Sequence, residues 1–157
     1  MVKYDKKSTM VCSREIPDYI SLGISITNCQ GRCEGCHSPW LREDIGEELT
    51  SVKLEELINA NKGINCVIFM GEGNDHLGIL QLAEFVRKKF PELKIAVYSG
   101  RERVEEDYFD VFDFVKIGPY IAKHGALDCR TTNQRLLEVD REHGMKKDIT
   151  SRFWINH

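Results

Sequence analysis

The sequence contains no apolar run long enough to span a membrane, and the charged start Met1-Val2-Lys3-Tyr4-Asp5-Lys6-Lys7 is followed by none of the length a leader needs. Neither a membrane span nor a signal peptide is expected, and the predicted location is the cytoplasm, where thiols stay reduced. Neither sign of charge dominates: 22 basic residues against 25 acidic ones leave a net charge of −3, which argues against broad capture of nucleic acid or of an anionic membrane. A partner must then be recognised by shape. Repeats, low-complexity tracts and linkers are absent, so residues 1–157 read as one domain, long enough to bury roughly two thirds of its unfolded surface. The six cysteines are too few and too unevenly placed for a stapled secreted framework. No second C-x2-C or H-x3-H pair occurs, although structural zinc sites are commonly built from two separated ligand pairs. A flavin-binding motif is also missing.

What is present is Cys29-Gln30-Gly31-Arg32-Cys33-Glu34-Gly35-Cys36, three thiols within eight residues. A 4Fe-4S cluster normally takes four cysteines, so a compact set of three holds a cluster with one iron open to another ligand. The competing reading is a structural zinc site completed by His37 or by one of Cys12, Cys66 and Cys129. The three outlying cysteines otherwise read as inert small hydrophobes: Cys66 opens an apolar run, while Cys12 and Cys129 lie in polar segments with no partner spacing.

Residues 1–19 mix charge with isolated apolar positions and read as an arm or short strand laid against the body. Ser21-Leu22-Gly23-Ile24-Ser25-Ile26 has the character of a buried strand and feeds directly into a cysteine loop at 27–40. Thr50 or Ser51 caps a helix carrying Leu54, Leu57 and Ile58, which Gly63 ends. Cys66-Val67-Ile68-Phe69-Met70 is a second buried strand. Ile79, Leu82, Ala83, Val86 and Phe90 then form one helical stripe closed by Phe90-Pro91. A third strand is expected at Lys94–Tyr98, a weaker helix around Val104–Phe109, and a fourth strand at Phe114–Gly118. Leu136–Val139 has the pattern of another strand, and Phe153-Trp154-Ile155 of an apolar tail. Strand–helix alternation implies parallel strands with right-handed crossovers, hence an α/β fold that is an open, partial β/α barrel of mostly parallel strands. In such sheets ligands bind beyond the carboxyl ends of the strands, where the cysteine loop falls.

The C-x3-C-x2-C spacing resembles the signature of the radical S-adenosylmethionine (SAM) enzymes. Cys36-His37-Ser38-Pro39 resembles the loop ending of the radical SAM activases of glycyl radical enzymes. Met70-Gly71-Glu72-Gly73 is similar to the Gly-Gly-Glu-Pro segment whose backbone binds the SAM amino group in that superfamily, with Met70 replacing the first glycine and Gly73 the proline. Tyr98-Ser99-Gly100, Ile117-Gly118-Pro119-Tyr120 and Thr132-Asn133-Gln134-Arg135 have counterparts, in the same order, in the activating component of the anaerobic, class III ribonucleotide reductase. On these segments, spread from about Ser21 to Val139, the chain is identified as a member of that family.

The resemblance implies a radical SAM fold and an oxidoreductase that cleaves SAM reductively at a 4Fe-4S cluster held by Cys29, Cys33 and Cys36. It implies a glycyl radical made on the large subunit of anaerobic ribonucleoside-triphosphate reductase, with a flavodoxin-like protein supplying the electron. Met70, Gly71, Glu72 and Gly73 would contact the SAM methionine. Ser99 would hydrogen-bond the same end, Gly118 and Asn133 would lie near the ribose or adenine, and His37 would pack beside the cofactor. The alternatives are an activase of another glycyl radical enzyme, of the pyruvate formate-lyase type, and a non-enzymatic zinc or iron–sulfur module.

Overall fold

The computed structural model describes residues 1–31, 36 and 38–154. In chain order the strands and helices are β1 (Lys3–Tyr4), β2 (Met10–Cys12), β3 (Ser21–Ser25), β4 (Glu47–Glu48), α1 (Ser51–Ala60), β5 (Cys66–Met70), α2 (His76–Lys89), β6 (Lys94–Tyr98), α3 (Tyr108–Val111), β7 (Phe114–Ile117), β8 (Arg135–Asp140) and β9 (Met145–Asp148). Single 3-10 turns lie at Lys6–Ser8, Pro39–Arg42 and Thr150–Trp154.

Local chemistry accounts for the helix ends. Thr50 Oγ1 accepts the Lys53 N–H at 3.1 Å and Asp75 Oδ1 the Gly78 N–H at 2.9 Å, satisfying orphan donors at the starts of α1 and α2. Phe90, which precedes a proline, closes α2. Val104–Phe109 yields only the short α3, shifted toward Val111.

The main sheet has seven strands in the order β2-β3-β5-β6-β7-β8-β9. Its centre, β3-β5-β6-β7, is parallel, with Ser25 beside Met70, Met70 beside Tyr98 and Tyr98 beside Lys116. The alternation expected from the sequence accounts for this centre, because each parallel neighbour is reached through a crossover carrying a helix. The flanks differ from that expectation. β2, β8 and β9 pair antiparallel, so three of the six strand pairings are parallel rather than most of them. No helix lies between β7 and β8, and β8 turns into β9 through a four-residue hairpin loop at 141–144, so the chain returns alongside instead of crossing over. The two ends of the sheet, β2 and β9, do not pair, and no closed barrel forms among the described residues. The N-terminal arm is built as β1, whose Tyr4 bridges to Ile26, and β2.

Two cores result from the two sheet faces. Leu22, Ile24, Val67, Phe69, Ile95, Val97 and Val115 meet all three helices, through residues such as Leu54, Ile79, Val86 and Tyr108. The opposite face, with Cys66, Ile68, Ala96, Phe114 and Leu136, is covered by Ile16, Tyr19, Ile149 and Phe153. The tail residue Phe153 thus packs as expected, whereas Ile155 lies outside the described residues. Among the described residues no helix is long and apolar enough to cross a membrane.

Phe69 is fully buried and meets Phe112 edge-on at a centroid distance of 6.3 Å. Phe69→Ala is expected to cost about 3–5 kcal/mol through the cavity it leaves. Urea unfolding with an unchanged slope would read this as a loss of stability rather than of compactness.

Candidate functional site

The strands β3, β5, β6 and β7 end level with one another, so the segments that follow them leave from one edge. That edge collects the cysteine loop, the 71–75 turn, the Ser99–Arg101 turn and the 118–134 segment. Met70 through Gly73, Ser99, Gly118 and Asn133 all lie along it, as do Cys29 and Cys36. Cys33 and His37 lie outside the described residues, and among those described no three His, Cys, Asp or Glu side chains cluster as metal ligands.

The cysteine loop has a closed neck. Asn28 N–H bonds the Glu43 carbonyl at 3.2 Å and Cys29 N–H the Leu41 carbonyl at 2.8 Å, while Thr27 Oγ1 donates to the Ile45 carbonyl at 2.9 Å. Cys29 and Cys36 are half-buried, and the Ser38 N–H donates to Cys36 Sγ at 3.4 Å, a contact that moderates a thiolate's charge.

The 71–75 turn is seated on the root of this loop. Ile26 N–H donates to the Met70 carbonyl at 3.2 Å. A Cβ on Gly73, whose φ is +60°, would lie 2.8 Å from the Thr27 carbonyl oxygen, too close for any other residue. The glycine therefore lets the turn and the loop root touch.

Glu72, 8% exposed, points its carboxylate into a set of donors. Ser99 Oγ reaches it at 2.7 Å, the Tyr108 hydroxyl at 2.6 Å, and Arg101 at 3.1 Å through Nε and 2.5 Å through Nη2. Burial pushes the Glu72 carboxyl up, but hydrogen bonds from Arg101, Ser99 and Tyr108 outweigh it and hold the carboxyl below its ordinary value. Arg101 also grips Glu105 at 2.8 Å through each of two nitrogens, which lowers that carboxyl to about 2. Burial and the Glu72 charge raise the Tyr108 phenol, which stays protonated as a donor. With all four of these bonds made to Glu72, its carboxylate is fully engaged within the protein, and the Ser99 hydroxyl is committed to Glu72.

Gly118, with φ +99°, is equally committed. Its N–H donates to the Arg101 carbonyl at 2.7 Å, and its carbonyl accepts Lys116 Nζ at 2.8 Å. A Cβ there would meet Gln134 Cα at 3.1 Å and the Asn133 carbonyl at 3.3 Å, so the missing side chain makes room for the returning 132–134 segment. Asn133 Nδ2 donates to the Pro119 carbonyl at 3.1 Å, while its Oδ1 is buried with no donor in reach among the described residues. A buried acceptor left unmade costs roughly 1–3 kcal/mol.

Three residues of the site, Arg101, Tyr108 and Lys116, escaped the sequence reading. Lys116, 7% exposed, also donates to the Ser99 carbonyl at 3.1 Å, so its ammonium joins the starts of two loops. Its only signal was a lysine inside an otherwise apolar strand, Phe114-Val115-Lys116-Ile117. Arg101 reads as solvated loop, and only Glu72 beside it in space gives it a role.

The outlying cysteines are placed differently. Cys12 pairs with Ser21, and Ser21 with Cys66, at the amino edge of the sheet, about 13 Å of strand away from the cysteine loop. Burial pushes both thiols up to about 12, so they stay protonated at neutral pH. Cys129 is exposed in the 118–134 segment, its thiol 3.7 Å from Asp128 Oδ1.

The native Glu72 carboxyl titrates below its unfolded value, so its stabilisation is complete above the ordinary glutamate range and is lost as pH falls through the lower native value. Glu72→Gln is expected to cost about 2–3 kcal/mol at neutral pH, the scale of hydrogen bonds to a charged group, and to flatten the acid limb of a stability–pH curve measured by chemical denaturation. A limb unchanged in the variant would contradict the assignment. No family model, curated protein or solved structure matches this chain.

Proposed function

We propose that this chain is a cytoplasmic radical SAM activase that generates a glycyl radical on the large subunit of anaerobic ribonucleoside-triphosphate reductase. The observation that carries the reading is the contact between the glycine turn 71–73 and the root of the cysteine loop. It ties the glycine turn and the cysteine loop into one unit at the carboxyl edge of a parallel sheet, the edge where ligands of such sheets bind.

The donor set fits the implied group. Cys29, Cys33 and Cys36 would hold a 4Fe-4S cluster, and the separation of Cys12 and Cys66 from the loop removes two of the side chains that a closed zinc site would recruit. The buried Asn133 Oδ1 calls for a donor that the protein does not supply, and hydroxyl or amino groups of a nucleoside are donors of that kind. Bound there, the cluster would supply the electron for reductive cleavage of the SAM carbon–sulfur bond, which yields methionine and a 5′-deoxyadenosyl radical able to take hydrogen from a glycine.

The protein's own part is positional. The main chain of the 71–73 turn receives the polar end of SAM, Asn133 accepts from the nucleoside, and the Glu72–Arg101–Tyr108 set keeps the turn from shifting. With one cysteine cluster motif and no recognisable flavin-binding motif in the sequence, the electron comes from a separate flavodoxin-like protein. A domain of this size does not enclose a protein substrate, so the reductase subunit presents a glycine loop at the sheet's carboxyl edge and completes the exclusion of water.

Reconstituted anaerobically and given dithionite and SAM, the protein should release 5′-deoxyadenosine, and Cys33→Ala should abolish that release. Asn133→Leu should weaken SAM binding roughly tenfold, read by equilibrium dialysis, for the loss of one buried hydrogen bond. A colourless protein holding one zinc per chain would refute the reading, and addition of the reductase with a search for a glycyl radical by electron paramagnetic resonance would separate this activase from those of other glycyl radical enzymes.

A further inference from the structure

Asn28, the residue before the first cysteine of the loop, has a left-handed backbone with φ +63°. Among the described residues only Asp18 shares a positive φ without being glycine. In that region a side chain crowds the neighbouring carbonyl, a strain that asparagine bears better than most residues and that glycine escapes altogether.

The strained residue sits where the neck of the loop closes. Along an extended strand the N–H groups of successive residues face opposite sides. Here the N–H groups of Asn28 and Cys29 both face the returning limb, donating to the Glu43 carbonyl at 3.2 Å and the Leu41 carbonyl at 2.8 Å. The turn at residue 28 aims two consecutive donors the same way, as in main-chain nests. The Asn28 carbonyl is used as well, accepting Gln30 Nε2 at 2.7 Å. Its side chain ties the neck to the N-terminal arm, since Asn28 Nδ2 donates at 3.2 Å to the same Asp44 oxygen that takes Lys3 Nζ at 2.8 Å. The Asp44 side chain is 68% exposed, so this ion pair adds little energy and the backbone of residue 28 carries most of the restraint.

We propose that Asn28 is the positioning residue of the first cluster thiolate, its left-handed backbone setting the direction in which Cys29 leaves the neck. The role rests on the activase reading for the identity of the metal group that Cys29 holds with Cys33 and Cys36. A metal ligand carried on a loop binds more tightly when the backbone before it is already turned, because the ordering of that backbone then no longer opposes binding. An unusual consequence follows for substitutions. Deleting the whole side chain, as in Asn28→Gly, should preserve the site, whereas Asn28→Ala, the milder change in composition, should damage it, because only the second penalises the left-handed form.

The test uses the full chain, reconstituted anaerobically with iron and sulfide and then challenged with a ferrous chelator. Asn28→Gly should release iron within about threefold of the wild-type rate and Asn28→Ala about tenfold faster, the strain of the left-handed form passing into the lability of the cluster. The neck lies outside both cores, so in the metal-free alanine variant it should open locally, leaving the urea midpoint near that of the wild type. Iron release from Asn28→Ala at the wild-type rate overturns the proposal, as does release from Asn28→Gly as fast as from Asn28→Ala. A lowered urea midpoint with unchanged release also overturns it and assigns residue 28 to the fold. The activase reading fails by different signs. Protein that shows the expected order of iron release but cleaves no SAM refutes that reading and leaves the role of Asn28 standing. Protein that takes up one zinc per chain refutes it too, and the same comparison of zinc release then decides Asn28; protein that takes up neither metal refutes both.

Discussion

The carboxylate of Glu72 is the point on which the carboxyl edge of this sheet depends. It sits in a protein interior where an unpaired charge would cost several kcal/mol, and it is tolerated because Ser99, Arg101 and Tyr108 all donate to it. Those donors come from the turn after β6 and from α3, so one side chain holds the β5–α2 turn to the next crossover. Arg101 carries the restraint further, through its carbonyl to Gly118 and through its guanidinium to Glu105. Lys116 closes the circuit from below by donating to the carbonyls of Ser99 and Gly118.

Because this circuit is satisfied internally, its side chains are not the ones left to meet a ligand. What remains is the unmatched Asn133 Oδ1 and the cysteine loop rooted on the 71–73 turn. Preorganisation of this kind suits chemistry in which reactivity belongs to a bound cofactor, and the protein's contribution is to fix position and exclude water. The glycines at 73 and 118 serve the same end by an unexpected route. Their missing side chains are filled by neighbouring protein, Thr27 in one case and Asn133 with Gln134 in the other, so they join segments together.

The antiparallel flanks give the molecule a different outline from a sheet of uniform strand–helix units. The segment around Ile16 and Tyr19 folds over part of the face opposite the helices, and Ile149 with Phe153 cover more of it. Met70 and Tyr98 pack against the core on that face, while Lys116 reaches the carbonyls of Ser99 and Gly118.

Much of this was legible in the sequence. Continuous apolar runs such as Cys66–Met70 and the stripe from Ile79 to Val86 can be buried only as strand and helix, and their alternation dictates a parallel centre whose carboxyl ends share an edge. Periodicity is a local property, and it located these elements and the residues just beyond them. The direction of β8 and the existence of β9 were not legible, because an exposed Met-Lys-Lys-Asp strand has no apolar pattern and owes its place to pairing with β8. Nor were the partners of Glu72. A carboxylate, a serine, an arginine and a tyrosine spread from 72 to 108 carry no common spacing, and only the packing of crossovers side by side brings them within hydrogen-bond reach. The sequence by itself determined which strands exist and which edge bears the cysteines; the tertiary structure decided which side chains are spent on holding that edge and which atoms it leaves for a ligand, because hydrogen-bond satisfaction in a buried site is settled by neighbours in space and not along the chain.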